Sequence, residues 1–342
     1  MEKYQILKDL VGFNTIKDNQ NTEIMNYIEK CLKNKGFRTD YKGKNLIMSY
    51  GNNPTFGFLG HTDTVEYIEG WNTDPFLLAQ NGNKLYGLGA CDMKGGIAAV
   101  LDAILDFDLN SLENGIKLYF TYDEEIGFGG IKEIIETKEK FPDFMVFGEP
   151  TYNDILVGCK GLLECELYFK GVKAHSSNPE KGVSANLNAI KFLSELEKFY
   201  LEEIKCQVNE KYEIPYTTMN LGIIKGGSAK NSIPAECYAT LDFRLVDTKH
   251  AEIILKKINE LCKKYKCENV VIENIKPFMS NIEIENDEKT ANFMTEASFI
   301  DCKYKVILGV GPVTAHEVNE YIEIESYEKL VKQYKELIKK YA

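Results

Sequence analysis

Short apolar runs bounded by glycine, asparagine and proline punctuate the first half of the chain. NLIMSY (45–50), TFGFLG (55–60), IKLYFTY (116–122) and FMVFGE (144–149) have the length and composition of buried strands. Between them, NTEIMNYIEKCLKNKG (21–36) and MKGGIAAVLDAILDF (93–107) repeat apolar residues at helical spacing. The opening residues predict another amphipathic helix, with Tyr4, Leu7, Leu10 and Val11 on one face. Alternating strands and helices are the pattern of an α/β sheet.

The texture changes near residue 162. LLECELYFKG (162–171), TTMNLGIIKGG (217–227) and ECYATLDFRL (236–245) read as strands, separated by helical stretches at 184–203 and 248–265. With NVVIENI (269–275) they give strand–helix–strand–strand–helix–strand, the order of a ferredoxin-like unit. In the first of these helices Leu187, Ile190, Leu193 and Leu196 form an apolar stripe expected to pack on the small sheet. The α/β texture resumes with KVILGVG (305–311) and a closing helix at 326–341. The expected architecture is an α/β domain with a mixed sheet and helices on both faces (1–161 and 276–342). It carries an inserted α+β domain at 162–275.

Composition changes this picture little. At 342 residues, 44% hydrophobic and 27% charged, the chain is that of a globular protein able to bury a core. It has no run near the roughly 18 consecutive apolar residues of a membrane span, so no membrane partner is expected. The start lacks the basic and small-residue features of a signal peptide. Nine cysteines, none in a CxxC pair, fit reduced thiols and a cytoplasmic location. A net charge of −11 spread along the chain argues against nucleic acid as a partner.

The chemistry lies where the strands stop. TFGFLG delivers His61 and Asp63; IKLYFTYD delivers Glu124 and Glu125; FMVFG delivers Glu149; KVILGVG leads to His316. Asp92, in GLGACDMKGG, precedes a helix. Ligand sites of open α/β sheets collect beyond the carboxyl ends of the strands, so these residues are expected to converge. Any one of them alone would read as a solvated loop residue, yet two of the chain's four histidines fall in this set. Imidazole with carboxylate suits zinc, and two ions about 3.5–4 Å apart need a carboxylate to bridge them.

These residues sit in motifs that resemble, in order and spacing, the co-catalytic di-zinc amidohydrolases and exopeptidases. The motifs are GHTDTV, LYGLGACDMKGG, DEE, GEPT, GVKAHSSNPEKGVSAN, NLGIIKGGSAKNSIP, DFR and AHEVNEYI, and they span nearly the whole chain. GWNTDPF, LYGLG and TEASF bring it nearest the acetylornithine deacetylase branch. The resemblance implies two zinc ions, with cobalt or manganese as possible substitutes. His61 and Glu149 would bind one ion, Glu125 and His316 the other, with Asp92 between them and a cis peptide after Asp92. Glu124 would be the general base and Asp63 would orient His61. The inserted domain would be a lid and dimerisation domain, its His175 stabilising the oxyanion of the other subunit's reaction in a homodimer. Arg244, Asn231, Thr295 and Lys160 would contact substrate, although Arg244 could instead pair a strand neighbour. His250 is expected to be solvated and Cys91 to pack. The implied reaction is hydrolysis of a small N-acyl amino acid, N-acetylornithine foremost. Succinyl-diaminopimelate, another acyl amino acid or a dipeptide is the alternative, and binding without turnover is a different class of function.

Overall fold

The computed structural model describes residues 3–17, 19–282 and 289–342. It divides into two compact units: Met1–Val157, Ser280–Asp287 and Thr295–Ala342 in the first, Gly158–Met279 and Glu288–Met294 in the second.

The first unit is built on a mixed sheet in which the strands Arg38–Lys42, Asn45–Tyr50, Gly115–Thr121, Pro54–His61, Phe144–Phe147 and Tyr304–Ile307 lie side by side in that order. The last four are mutually parallel, with Phe58 opposite both Leu118 and Val146. Their carboxyl ends therefore open onto one edge. Phe56 and Phe58 face the helices Lys94–Leu105 and Ile324–Tyr341: the Phe58 ring meets Tyr334 edge-on at 5.6 Å. Asn45 points to the other face, where its amide donates to Glu133 of the helix Gly129–Glu136 at 3.0 Å. Helices thus cover both faces. Gly96 lets the first of these helices approach closely, since a Cβ there would lie 2.4 Å from the Gly148 carbonyl oxygen. A small sheet joins Tyr321–Glu323, Lys84–Tyr86 and Ala79–Asn81.

The second unit has strands Thr218–Gly226, Glu236–Leu245, Gly161–Lys170 and Cys267–Ile275 in that antiparallel order, the ferredoxin-like arrangement the sequence predicts. The helices Ala185–Phe199 and His250–Tyr265 pack on one face through Phe169, Phe192, Leu241, Phe243 and Ile258. The stripe expected to form this contact is displaced. Ala185, Ala189, Phe192 and Leu196 are buried, whereas Leu187 and Ile190 are 55% and 57% exposed. Both sets have helical spacing, and the smaller alanines let the helix sit close to the sheet.

Among the described residues, no helix is long and apolar enough to cross a membrane.

Candidate metal centre

At the carboxyl edge of the parallel strands the structure brings together His61, Asp92, Glu125, Glu149 and His316. His61, the last residue of its strand, is buried; its Nε2 lies 3.1 Å from Asp92 Oδ1 and 3.8 Å from Glu149 Oε2. His316 Nε2 lies 3.0 Å from Glu125 Oε2 and 3.6 Å from Asp92 Oδ2. Asp92 therefore offers one oxygen to each imidazole. Ligand atoms of His61, Asp92 and Glu125 all lie within 4.8 Å of one another. The Asp92–Met93 peptide is cis, as the resemblance implies.

Local backbone aims these groups. His316 has φ 62°, a left-handed conformation, within a turn that Thr314 clamps to Tyr321 through hydrogen bonds of 2.7 and 3.0 Å. Asp63 acts on His61 mainly through its main chain: the ring Nδ1 is 3.0 Å from the Asp63 carbonyl oxygen but 3.5 Å from carboxylate Oδ1. The Asp63 carboxylate instead accepts the Glu125 N–H at 3.1 Å, tying the first strand end to the second.

The site is crowded with acidic groups around two imidazoles. Burial disfavours a charged His61, but Asp63, Asp92 and Glu149 outweigh it and hold the ring well above its usual pKa. Hydrogen bonding to Glu125 raises His316 to about 9. Burial raises Glu149 to about 7, opposed by His61. Glu124 is pushed well up by burial and then by the charge of Glu149. Glu125 Oε1 and Asp63 Oδ1 are buried with no hydrogen-bond partner among the described residues, so the site has acceptor capacity to spare. Mixed imidazole and carboxylate donors with unused oxygens fit two divalent ions of the zinc type.

Three buried ionisable residues of this unit escaped the sequence reading. Glu320 accepts the N–H groups of Gly89, Cys91 and Asp92, and burial raises it to about 7 against those donors. Glu296 accepts from Thr121 Oγ1 at 2.9 Å, and burial raises it to about 8. Lys94, lowered to about 7 by burial, donates to the Phe13 carbonyl at 2.8 Å. Thr295 is buried and caps a short turn, its Oγ1 accepting from Ala297 N at 3.1 Å. Cys91 is buried, as expected.

The remaining candidates lie in the second unit. His175, exposed, ends a two-residue strand paired with Ser232–Ile233, and its ring bonds Ser177 Oγ at 2.7 Å. Asn231 is its neighbour there, its carbonyl accepting Ser176 N at 3.0 Å. The Arg244 fork is engaged by Asp242, two residues back on the same strand, through two hydrogen bonds of 3.0 Å. Lys160 is buried and donates to the Tyr216 carbonyl at 3.0 Å; burial lowers it to about 8. The expectation of a solvated His250 was wrong. It is buried, with Nδ1 2.7 Å from Thr217 Oγ1, because the Thr217 hydroxyl lies against the start of its helix.

Residues 157–269 match the profile of the peptidase dimerisation domain. An acetylornithine deacetylase from Photorhabdus laumondii is 33% identical over 341 residues, covering 90% of this chain and 87% of its own. The chain belongs to the M20 family. Solved structures agree on the fold. A tripeptidase from Staphylococcus aureus superposes with TM-score 0.81 at 23% identity, covering 98% of this chain and 96% of its own. A dinuclear metal-binding M20 peptidase from Bacillus subtilis superposes with TM-score 0.70 at 13% identity, covering 98% and 96%. The protein is thus a metal-dependent amidohydrolase of this family, with the family's dimerisation domain inserted in its sequence.

Proposed function

We propose that the protein hydrolyses the amide of a small N-acyl amino acid, N-acetylornithine foremost, at a pair of zinc ions. His61 and Glu149 would hold one ion, Glu125 and His316 the other, and Asp92 would be shared. The observation that carries this reading is the split of the Asp92 carboxylate, one oxygen toward each imidazole. Bound ions would polarise the scissile carbonyl and lower the pKa of water toward neutrality.

The chain's own groups do the rest. Glu124, adjacent to a ligand and raised by its buried setting, takes a proton from water and passes it to the leaving amine. The Asp63 carbonyl fixes the His61 tautomer by accepting from Nδ1, leaving Nε2 free to bind metal. His175 is the donor to the oxyanion. Arg244 exchanges Asp242 for the substrate carboxylate, which its planar fork suits. Asn231, Thr295 and Lys160 are further substrate contacts in this reading. The deacetylase relative supports the substrate class.

A homodimer completes the proposal, as the matched dimerisation domain suggests. The edge strand Thr218–Gly226 exposes Leu221, Ile223 and Ile224, and the neighbouring helix exposes Leu187 and Ile190, an apolar surface suited to a second copy.

The test is turnover by metal-reconstituted protein on N-acetylornithine, N-acetyl-lysine, succinyl-diaminopimelate and a glutamate-terminal dipeptide. N-acetylornithine should be preferred. Glu124→Ala should lose on the order of 10²- to 10⁴-fold in kcat yet keep both metals, because a base is not a ligand. Failure on every substrate, or a metal-free Glu124→Ala, would refute the reading.

A further inference from the structure

Asp92 lies in a turn in which the N–H groups of Gly89, Cys91 and Asp92 find no backbone partner among the described residues. Gly89 there is left-handed (φ 76°), and a Cβ in its place would come within 2.6 Å of the Thr64 side chain. Backbone bonds meet Leu88 N–H and Ala90 N–H, and the side chain of one distant residue meets three others. Glu320 Oε2 accepts Gly89 N–H at 2.8 Å, and Oε1 accepts Cys91 N–H at 2.7 Å and Asp92 N–H at 3.0 Å. Its main-chain oxygen accepts Gly87 N–H at 3.1 Å. Glu320 is 1% exposed, so solvent offers these groups no substitute. It follows His316 by four residues and leads directly into the strand Tyr321–Glu323, which pairs with Lys84–Tyr86.

We propose that Glu320 is a positioning residue that locks the Asp92 turn to the His316 loop, and so sets the spacing at which the two Asp92 oxygens meet two metal ions. This rests on the metal-site reading above. Two loops far apart in sequence must agree on one geometry, and a buried carboxyl group accepting three main-chain hydrogen bonds is a stiff link between them. Glutamine at this position cannot replace it. Its oxygen could serve one side, but its NH₂ would then face an N–H donor on the other. Aspartate keeps the charge and falls one methylene short. If Glu320 only satisfied buried donors, its loss would lower stability and leave metal binding as it was.

The experiment titrates chelator-stripped protein with Co²⁺, followed by calorimetry and visible absorption. Wild-type protein should take up two equivalents. Glu320→Gln should lose tenfold to a hundredfold in affinity at one or both sites, with an altered absorption spectrum. Glu320→Asp should fall between, and carries the comparison if Glu320→Gln does not fold. Tyr327→Phe is the control: it removes the 2.6 Å bond to Asp102 between two helices, and should cost stability but not Co²⁺ affinity. Wild-type affinity and spectrum in a folded Glu320 variant would overturn the inference alone. So would an equal loss of affinity in Tyr327→Phe. Wild-type protein that binds no Co²⁺ would overturn the metal-site reading and this inference with it.

Discussion

Replacing Glu296 by glutamine should stabilise the metal-free protein, and increasingly so as pH rises. The side chain is 1% exposed; Oε2 accepts from Thr121, and Oε1 has no partner among the described residues. Burial is the main cause that lifts its carboxyl from 4.5 to about 8, with His61 and Thr121 opposing and Glu149 and Asp63 adding to it. Below pH 4.5 the carboxyl is protonated in both the folded and unfolded chain, so it costs nothing. Between 4.5 and about 8 the unfolded chain gives up its proton while the folded one keeps it, and stability falls with rising pH. Above that range both states are ionised and the full penalty applies. At about 1.36 kcal/mol for each tenfold step, that penalty is roughly 5 kcal/mol. The figure is a ceiling, because a buried carboxylate is eased by relaxation and entering water.

Glutamine has the same shape, still accepts from Thr121, and has no such term. Its advantage over the wild type should be about 1 kcal/mol at pH 5 and should grow by at least about 2 kcal/mol by pH 9. Urea unfolding of both proteins in chelator, at several pH values, measures this difference directly. Restoring metal should shrink the pH dependence, since nearby cations favour the carboxylate. A Glu296→Gln advantage that is the same at pH 5 and pH 9 would refute the reasoning.

Two further outcomes are expected. Burial lowers the pKa of His250, so the unfolded chain binds a proton that the folded one resists below about pH 6.5; wild-type stability should fall as pH drops through that value, and His250→Gln should flatten the fall in urea titrations. His175→Ala and Glu124→Ala should each be nearly inactive, but mixing them under subunit exchange should restore partial turnover; no recovery after proven exchange would refute a histidine acting across subunits.

Much of the site was legible because parallel topology concentrates it. Once TFGFLG, IKLYFTY and FMVFG are strands of one sheet, the residues after each must share an edge, and type alone then picks out His61, Glu125 and Glu149. The apolar stripe of the helix Ala185–Phe199 was less legible, because two faces carry apolar residues at the same period. Alanine against phenylalanine, rather than leucine against leucine, decides which face fits the sheet. Arg244 marks another limit. Residues two apart on a strand share a face, so Asp242 was always a geometric partner, and the sequence could not show whether its fork stays occupied.

The two carboxylates that escaped share one physical cause. Glu296 and Glu320 belong to an acidic chain, in which a carboxylate reads by default as a solvated surface group. What makes each unusual is long-range: Glu296 is buried against Thr121, 175 positions away, and Glu320 grips main-chain donors 228 to 231 positions away. Local sequence carries no trace of such partners, because backbone N–H groups are the same at every residue that has one. The candidate ligands stand out by side-chain type, whereas the turns that carry them are tied by bonds to main-chain N–H groups. A fold of this kind therefore reveals its metal chemistry to a reader of sequence sooner than it reveals the groups that set its precision.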